Sequence, residues 1–134
     1  MTPAEIVRRI IECDNGRDKA GYRALLHDDY LSMVHGEVQN TTGDAEADAL
    51  EDWWTATPDS HLEEVALHVA GDIATLRYTL AGTNTKPLGA LPATGKRFET
   101  EGCTIFEMRD GRVKNTWRFA DTLGMLRQLG VIPG

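Results

Sequence analysis

Apolar residues first recur at helical spacing. Ile6, Ile10 and Cys13 share one face of residues 3–13, widened by Val7 and Ile11, while Arg8, Arg9 and Glu12 lie mostly opposite. Asn15-Gly16 stops this helix. A second is predicted from about Arg17, carrying Tyr22, Leu25 and Leu26 and ending near His27-Asp28, so the chain opens with a helical hairpin. Tyr30 to His35 reads as a short strand, followed by a loop rich in Gly, Asn and Thr through Gly43. Asp44 is a candidate cap for a third helix reaching about Thr55, with Asp48, Glu51 and Asp52 on its wet side and Leu50, Trp53 and Trp54 turned inward. Pro58-Asp59 ends it.

Beyond residue 60 the period changes to two. With Gly71-Asp72 as a two-residue hairpin loop, 70 pairs with 73 and the register runs outward from there. One face then collects Val65, Leu67, Val69, Ala74, Leu76, Tyr78 and Leu80, and the other Glu64, His68, Thr75, Arg77 and Thr79. Asp110-Gly111 is a favoured type I′ pair. Counting outward from it pairs Met108 with Val113, Phe106 with Asn115, Thr104 with Trp117, Gly102 with Phe119 and Thr100 with Asp121, and sets Glu107 across from Lys114 on the opposite face. Phe98, Phe106, Met108, Val113, Trp117 and Phe119 then cover one buried surface. Leu123, Met125, Leu126 and Leu129 form a short amphipathic tail. The order of helices, strand, helix and strands predicts one α+β domain over residues 1–134 with a curved antiparallel sheet, not alternating βαβ units.

Composition narrows the function classes. The 134 residues are 41% hydrophobic and 26% charged, enough for a packed core without staples. A net charge of −7 with no clustered Lys/Arg stripe argues against nucleic acid. No apolar run approaches the roughly 20 residues of a membrane span, and Met1–Ile6 has no basic-then-apolar leader, so a cytoplasmic chain with no membrane partner is expected. Cys13 and Cys103 read as reduced thiols. The four histidines are not spaced with carboxylates as metal ligands, so no metal is expected. No nucleophile elbow, Walker loop, dinucleotide fingerprint or zincin pair is present.

Proton transfer by a carboxylate in an apolar pocket remains. Strand alternation aims Asp121 with Trp117 and Phe119 toward the apolar side, not with Lys114, Thr116 and Arg118 toward water. Desolvation there raises a carboxyl pKa toward the range useful for acid/base work. Asp121 also stands where it would cap the helix opened by Thr122-Leu123-Gly124, and the two roles are compatible. His35 shares the parity of Leu31 and Met33 and is a second candidate, as proton shuttle or carbonyl ligand. Tyr78, Thr104 and Asn115 are candidate hydrogen-bonding groups on the inward face. Trp53, Phe106, Trp117 and Phe119 supply apolar walls.

The segments Gly82-Thr83-Asn84-Thr85, Pro92-Ala93-Thr94-Gly95-Lys96, Ile105 to Val113, Trp117 to Gly124 and Leu126-Arg127-Gln128-Leu129-Gly130 together resemble the SnoaL-like polyketide cyclase family of the nuclear-transport-factor-like superfold. That resemblance implies an α+β cone with three helices in the N-terminal half, a short C-terminal helix and an apolar cavity. It implies cofactor-free intramolecular aldol closure of a hydrophobic, polyketide-like substrate in antibiotic biosynthesis, with an aspartate in the position of Asp121 as acid/base and a strand histidine, here His35, polarising a carbonyl. Relatives on this fold also include steroid isomerases, hydroxylation-associated proteins, epoxide hydrolases and binding proteins without known chemistry. With Arg77 and Arg118 placed outside, epoxide hydrolysis ranks low. Tyr78 keeps an isomerase open. The mixed outward face (Ala66, Thr75, Arg77, Thr79, Cys103, Ile105) is expected to be partly covered in a homodimer, as is usual in relatives.

Overall fold

A computed structural model describes all 134 residues. Helix α1 spans Pro3–Asn15 and begins in a capping box, where Thr2 Oγ1 accepts from the Glu5 amide at 3.2 Å and the Thr2 amide donates to Glu5 Oε1 at 3.1 Å. It buries Ile6, Val7, Ile10 and Cys13, the stripe predicted from spacing. Helix α2 is shorter than expected, Lys19–Ala24, capped by Asp18. Leu26, which the spacing places on that helix, instead opens strand β1, Leu26–Val34, because its side chain is fully buried at a sheet position beside Val113. His35 and Gly36, both at positive φ, turn the chain into β2, Glu37–Asn40, inside the segment predicted as loop. Helix α3, Gly43–Ala56, is capped by Thr42 rather than Asp44.

Strands β3 (His61–Ala70), β4 (Ile73–Thr83), β5 (Arg97–Arg109) and β6 (Arg112–Ala120) form an antiparallel meander, and α4 (Thr122–Gln128) closes the chain. The sheet order is β2-β1-β6-β5-β4-β3. The sheet is mixed rather than antiparallel throughout, since β1 runs parallel to β6. Helices α1–α3 cover one face and pack Ile6, Val7, Ile10 and Tyr22 against Leu76, Tyr78, Phe106 and Met108.

Both predicted hairpin turns are present: Ala70 pairs with Ile73, and Arg109 with Arg112 around Asp110 (φ 54°) and Gly111 (φ 73°). Each ladder then slips at a bulge. In β3 the slip lies between Glu64 and Ala66, so Glu64 faces Tyr78 and Val65 is half-exposed. Val69, at the far end of this edge strand, is exposed as well. In β6 the slip follows Val113 and leaves Lys114 as the extra residue. Phe106 therefore faces Thr116, Thr104 faces Arg118 and Gly102 faces Ala120, where the sequence predicts Asn115, Trp117 and Phe119. One inserted residue exchanges the two faces of everything after it. Thr116 is 2% exposed and Phe119 48%, the reverse of the expected parity. Asn115 donates to Glu107 on the outer face at 2.6 Å, and Lys114 reaches the Asp29 carbonyl at 2.6 Å instead of pairing with Glu107.

Candidate functional site

The slip in β6 places an arginine on the inner face, and the interior is arranged around it. Glu46, one turn into α3, is 3% exposed and accepts from four side chains. Tyr22 Oη (3.4 Å) and Arg118 Nη2 (3.2 Å) reach Oε1; Ser32 Oγ (3.1 Å) and Asn40 Nδ2 (2.6 Å) reach Oε2. Its carboxylate is saturated, and it joins α2, α3, β1, β2 and β6 at one point. Burial opposes the charge of Arg118, but the Glu46 carboxylate outweighs it and holds the guanidinium above the ordinary arginine pKa. Burial, reinforced by Glu46, pushes the Tyr22 and Tyr30 hydroxyls well above the usual tyrosine range, so both stay neutral; the Tyr30 and Thr116 hydroxyls are hydrogen-bonded to each other at 2.5 Å.

A second carboxylate, Asp14 in the last turn of α1, accepts from Trp54 Nε1 at 2.8 Å. Burial pushes this carboxyl up, against the pull of the Trp54 hydrogen bond and the positive fields of Arg17, Arg118 and His61. Arg17 itself lies 5.9 Å over the Trp54 ring and donates to the carbonyls of Pro58 and Ser60 at 2.7 and 2.9 Å.

The residues singled out in the sequence divide between inside and outside. Tyr78, Phe106 and Thr104 are buried on the inner face, and Trp53 packs on Phe98 at 5.6 Å between ring centroids. Asn115, Trp117 and Phe119 stand on the outer face instead. Asp121 is not desolvated between Trp117 and Phe119. It is exposed, just past the end of β6, with Oδ1 accepting from the Gly124 amide at 2.9 Å as the cap of α4. His35 does not project inward: it is exposed at φ 51° in the β1–β2 turn, with Nε2 3.1 Å from the Ala120 amide nitrogen and its ring 6.4 Å from Phe119. Asp121 and His35 do come together at the end of β6, one following Ala120 in sequence and the other bonded to it.

Sequence reasoning missed Glu46, Arg118, Tyr22, Tyr30 and Asp14 as site residues. Glu46 carried a usable signal, since positions 46, 50 and 54 fall on one helical face and Leu50 and Trp54 had been assigned inward. The space between sheet and helices, implied by the resemblance to be apolar, carries this polar cluster. Two open surface depressions lie apart from it, one between Met1, Ile6 and residues 107–111, the other between α2 and α3 beside Lys19, Arg23 and Asp44.

With this geometry in hand, comparison with known proteins gives a consistent result. The family model described as SnoaL-like polyketide cyclase matches residues 4–129. Aklanonic acid methyl ester cyclase DnrD of Streptomyces peucetius is 29% identical over 132 residues, covering 96% of this chain and 91% of that protein. The nogalonic acid methyl ester cyclase of Streptomyces nogalater is 31% identical over 107 residues, 78% of this chain and 80% of that one. Among solved structures, TsrD of Streptomyces laurentii superposes with a TM-score of 0.86 at 27% identity, covering 96% of this chain and 95% of its own.

Proposed function

This chain belongs to the SnoaL-like polyketide cyclase family, and from that membership we propose that it closes a ring in a hydrophobic polycarbonyl substrate by cofactor-free intramolecular aldol condensation. The observation that carries the reading is the match to named ring-closing enzymes over nearly the full length of both chains. The chemistry asks for a base to take an acidic α-proton, a positive or hydrogen-bonding environment for the enolate oxygen, and a proton for the alkoxide formed when the enolate carbon attacks the second carbonyl. The family resemblance gives the proton transfer to Asp121, beside His35 at the end of β6.

Turnover of aklanonic acid methyl ester and nogalonic acid methyl ester, followed by chromatography of the cyclised products, tests this reading. Asp121→Asn is expected to lose roughly 10²-fold or more in rate, the usual scale of a general acid/base. Its melting temperature should hold, since asparagine caps a helix as well as aspartate does. Full activity in that variant rejects the role of Asp121. The exposure of this carboxylate favours a second reading, a binding protein for the same class of compound; saturable binding of both esters without turnover supports it.

The outer face of the sheet supports a homodimer. Met33, Trp117, Ile105 and Thr75 form one cross-strand row, and Phe119, Cys103 and Arg77 another. The slip in β6 puts two aromatics on this face, more apolar surface than the sequence register allowed it.

A further inference from the structure

Three polar groups on the inner face have free valences that nothing in the protein fills. Arg118 spends only Nη2 on Glu46. Its Nε and Nη1 have no protein partner, yet neither is sealed from solvent, and the side chain keeps a third of its surface accessible. The Tyr78 hydroxyl likewise has no protein partner and is not sealed, although the residue is only 6% exposed. Asp14 binds Trp54 through Oδ1, and its Oδ2 is free in the same sense. Tyr78 lines up through Gly102 with Ala120, the inner-face position that follows Arg118 along β6, so the guanidinium and the phenol rise from the same stretch of the sheet. The pairing of Arg118 with Thr104 across the β5–β6 ladder fixes the height of the guanidinium on the sheet, and the four-donor seat of Glu46 fixes its orientation.

A buried ion pair is a poor fastener, because an apolar pair of similar volume often holds as well or better. A guanidinium pinned on one edge and open on the other is well suited to receive an oxygen on which negative charge is growing. Held donors in a water-poor site need no reorganisation when the charge appears.

Resting on the cyclase reading above, we propose that Arg118, seated on Glu46, and the Tyr78 hydroxyl bind the enolate oxygen of a 1,3-dicarbonyl substrate. The acid/base, Asp121 in the reading above, takes the α-proton, the C–H electron pair forms the enolate, and the charge comes to rest on the oxygen held by Arg118 and Tyr78. The enolate carbon then makes the new C–C bond, the second carbonyl's π pair moves to its own oxygen, and that alkoxide takes the proton back from the acid/base. No electrons enter or leave.

The test uses 2-naphthol, whose ionised form mimics an aromatic enolate, with affinity followed by its fluorescence across the pH range of its ionisation. The wild-type chain is expected to prefer naphtholate over naphthol by about tenfold or more, the scale of one charge-assisted hydrogen bond. Arg118→Lys keeps part of that preference. The double variant E46Q/R118Q, a neutral pair that leaves no buried charge unpaired, abolishes it. Tyr78→Phe reduces it. Equal affinity of the wild type for both forms, no binding, or an unchanged preference in folded E46Q/R118Q overturns the proposal. The assay needs no turnover, so it separates from the cyclase test: a preference that depends on Arg118 without ring closure rejects only the cyclase reading, and ring closure at the wild-type rate in E46Q/R118Q rejects only the role of Arg118.

Discussion

Glu46→Gln isolates the interior cluster with a change of one atom. The glutamine keeps the volume but offers one acceptor oxygen in place of two, and its amide nitrogen must face either Tyr22 and Arg118 or Ser32 and Asn40, all donors in the native arrangement. Breaking a buried ion pair by removing one partner costs about 3–5 kcal/mol, and since Arg118 retains a third of its surface the lower end applies, about 3 kcal/mol. For a chain of this size that corresponds to a fall in melting temperature of about 10 °C. Urea unfolding of the wild type, E46Q, R118M and E46Q/R118M at pH 7 forms a double-mutant cycle. Each single change should lower stability by about 3 kcal/mol, and the double should fall short of their sum by at least about 1.5 kcal/mol, because the second substitution removes a charge already stranded by the first. Additivity within about 0.5 kcal/mol would show that the two residues act independently and that the interior is not organised by their contact.

The other expectations concern separate parts of the molecule. Burial raises the Asp14 carboxyl, so its contribution to stability is fully present below the ordinary aspartate pKa and is lost as pH rises through the raised value; the melting temperature of Asp14→Asn relative to wild type should therefore be more favourable at pH 7 than at pH 4, and a pH-independent difference refutes this. A Cβ at Gly102 would sit 2.5 Å from the Tyr78 ring and hydroxyl, so Gly102→Ala should cost about 1–3 kcal/mol by overpacking, read as a lowered urea midpoint, and an unchanged midpoint contradicts that packing. Sedimentation should find the wild type dimeric at micromolar concentration and Phe119→Glu shifted toward monomer; a monomeric wild type rejects the sheet-face dimer.

Local chemistry was legible in the sequence, and long-range compensation was not. The stripe of Ile6, Ile10 and Cys13 and both hairpin turns could be read directly, because each depends on residues within one or two turns of chain. The Met108–Val113 pair was right, and the next pair was wrong. Nothing in Val113-Lys114-Asn115 announces a bulge, and the true inner row of Thr116, Arg118 and Ala120 looks like a wet face beside the aromatic alternative. That row is tolerable inside only because Tyr30 answers Thr116 and Glu46 answers Arg118, partners 86 and 72 residues away. The same slip removed the argument that Asp121 is shielded from water. In β1 and β2 the miss was of another kind: the β1–β6 pairing is parallel and joins segments far apart in sequence, and the His35-Gly36 turn places a non-glycine at positive φ, which composition does not signal.

The parallel seam between β1 and β6 also sets an order of assembly. Strands β3 to β6 pair with their neighbours in chain order, through two-residue turns at β3–β4 and β5–β6 and the longer 84–96 connection between β4 and β5, whereas β1 must find β6 across a closure of some 85 residues, the slow kind of contact. Glu46 and Tyr22 arrive on the side of that seam brought in by the N-terminal half, and Arg118 and Tyr78 wait on the other. Arg118 thus gains its counterion only when the last long-range docking is complete, so a chain that has folded its meander alone carries an unpaired arginine on the inner face of its sheet.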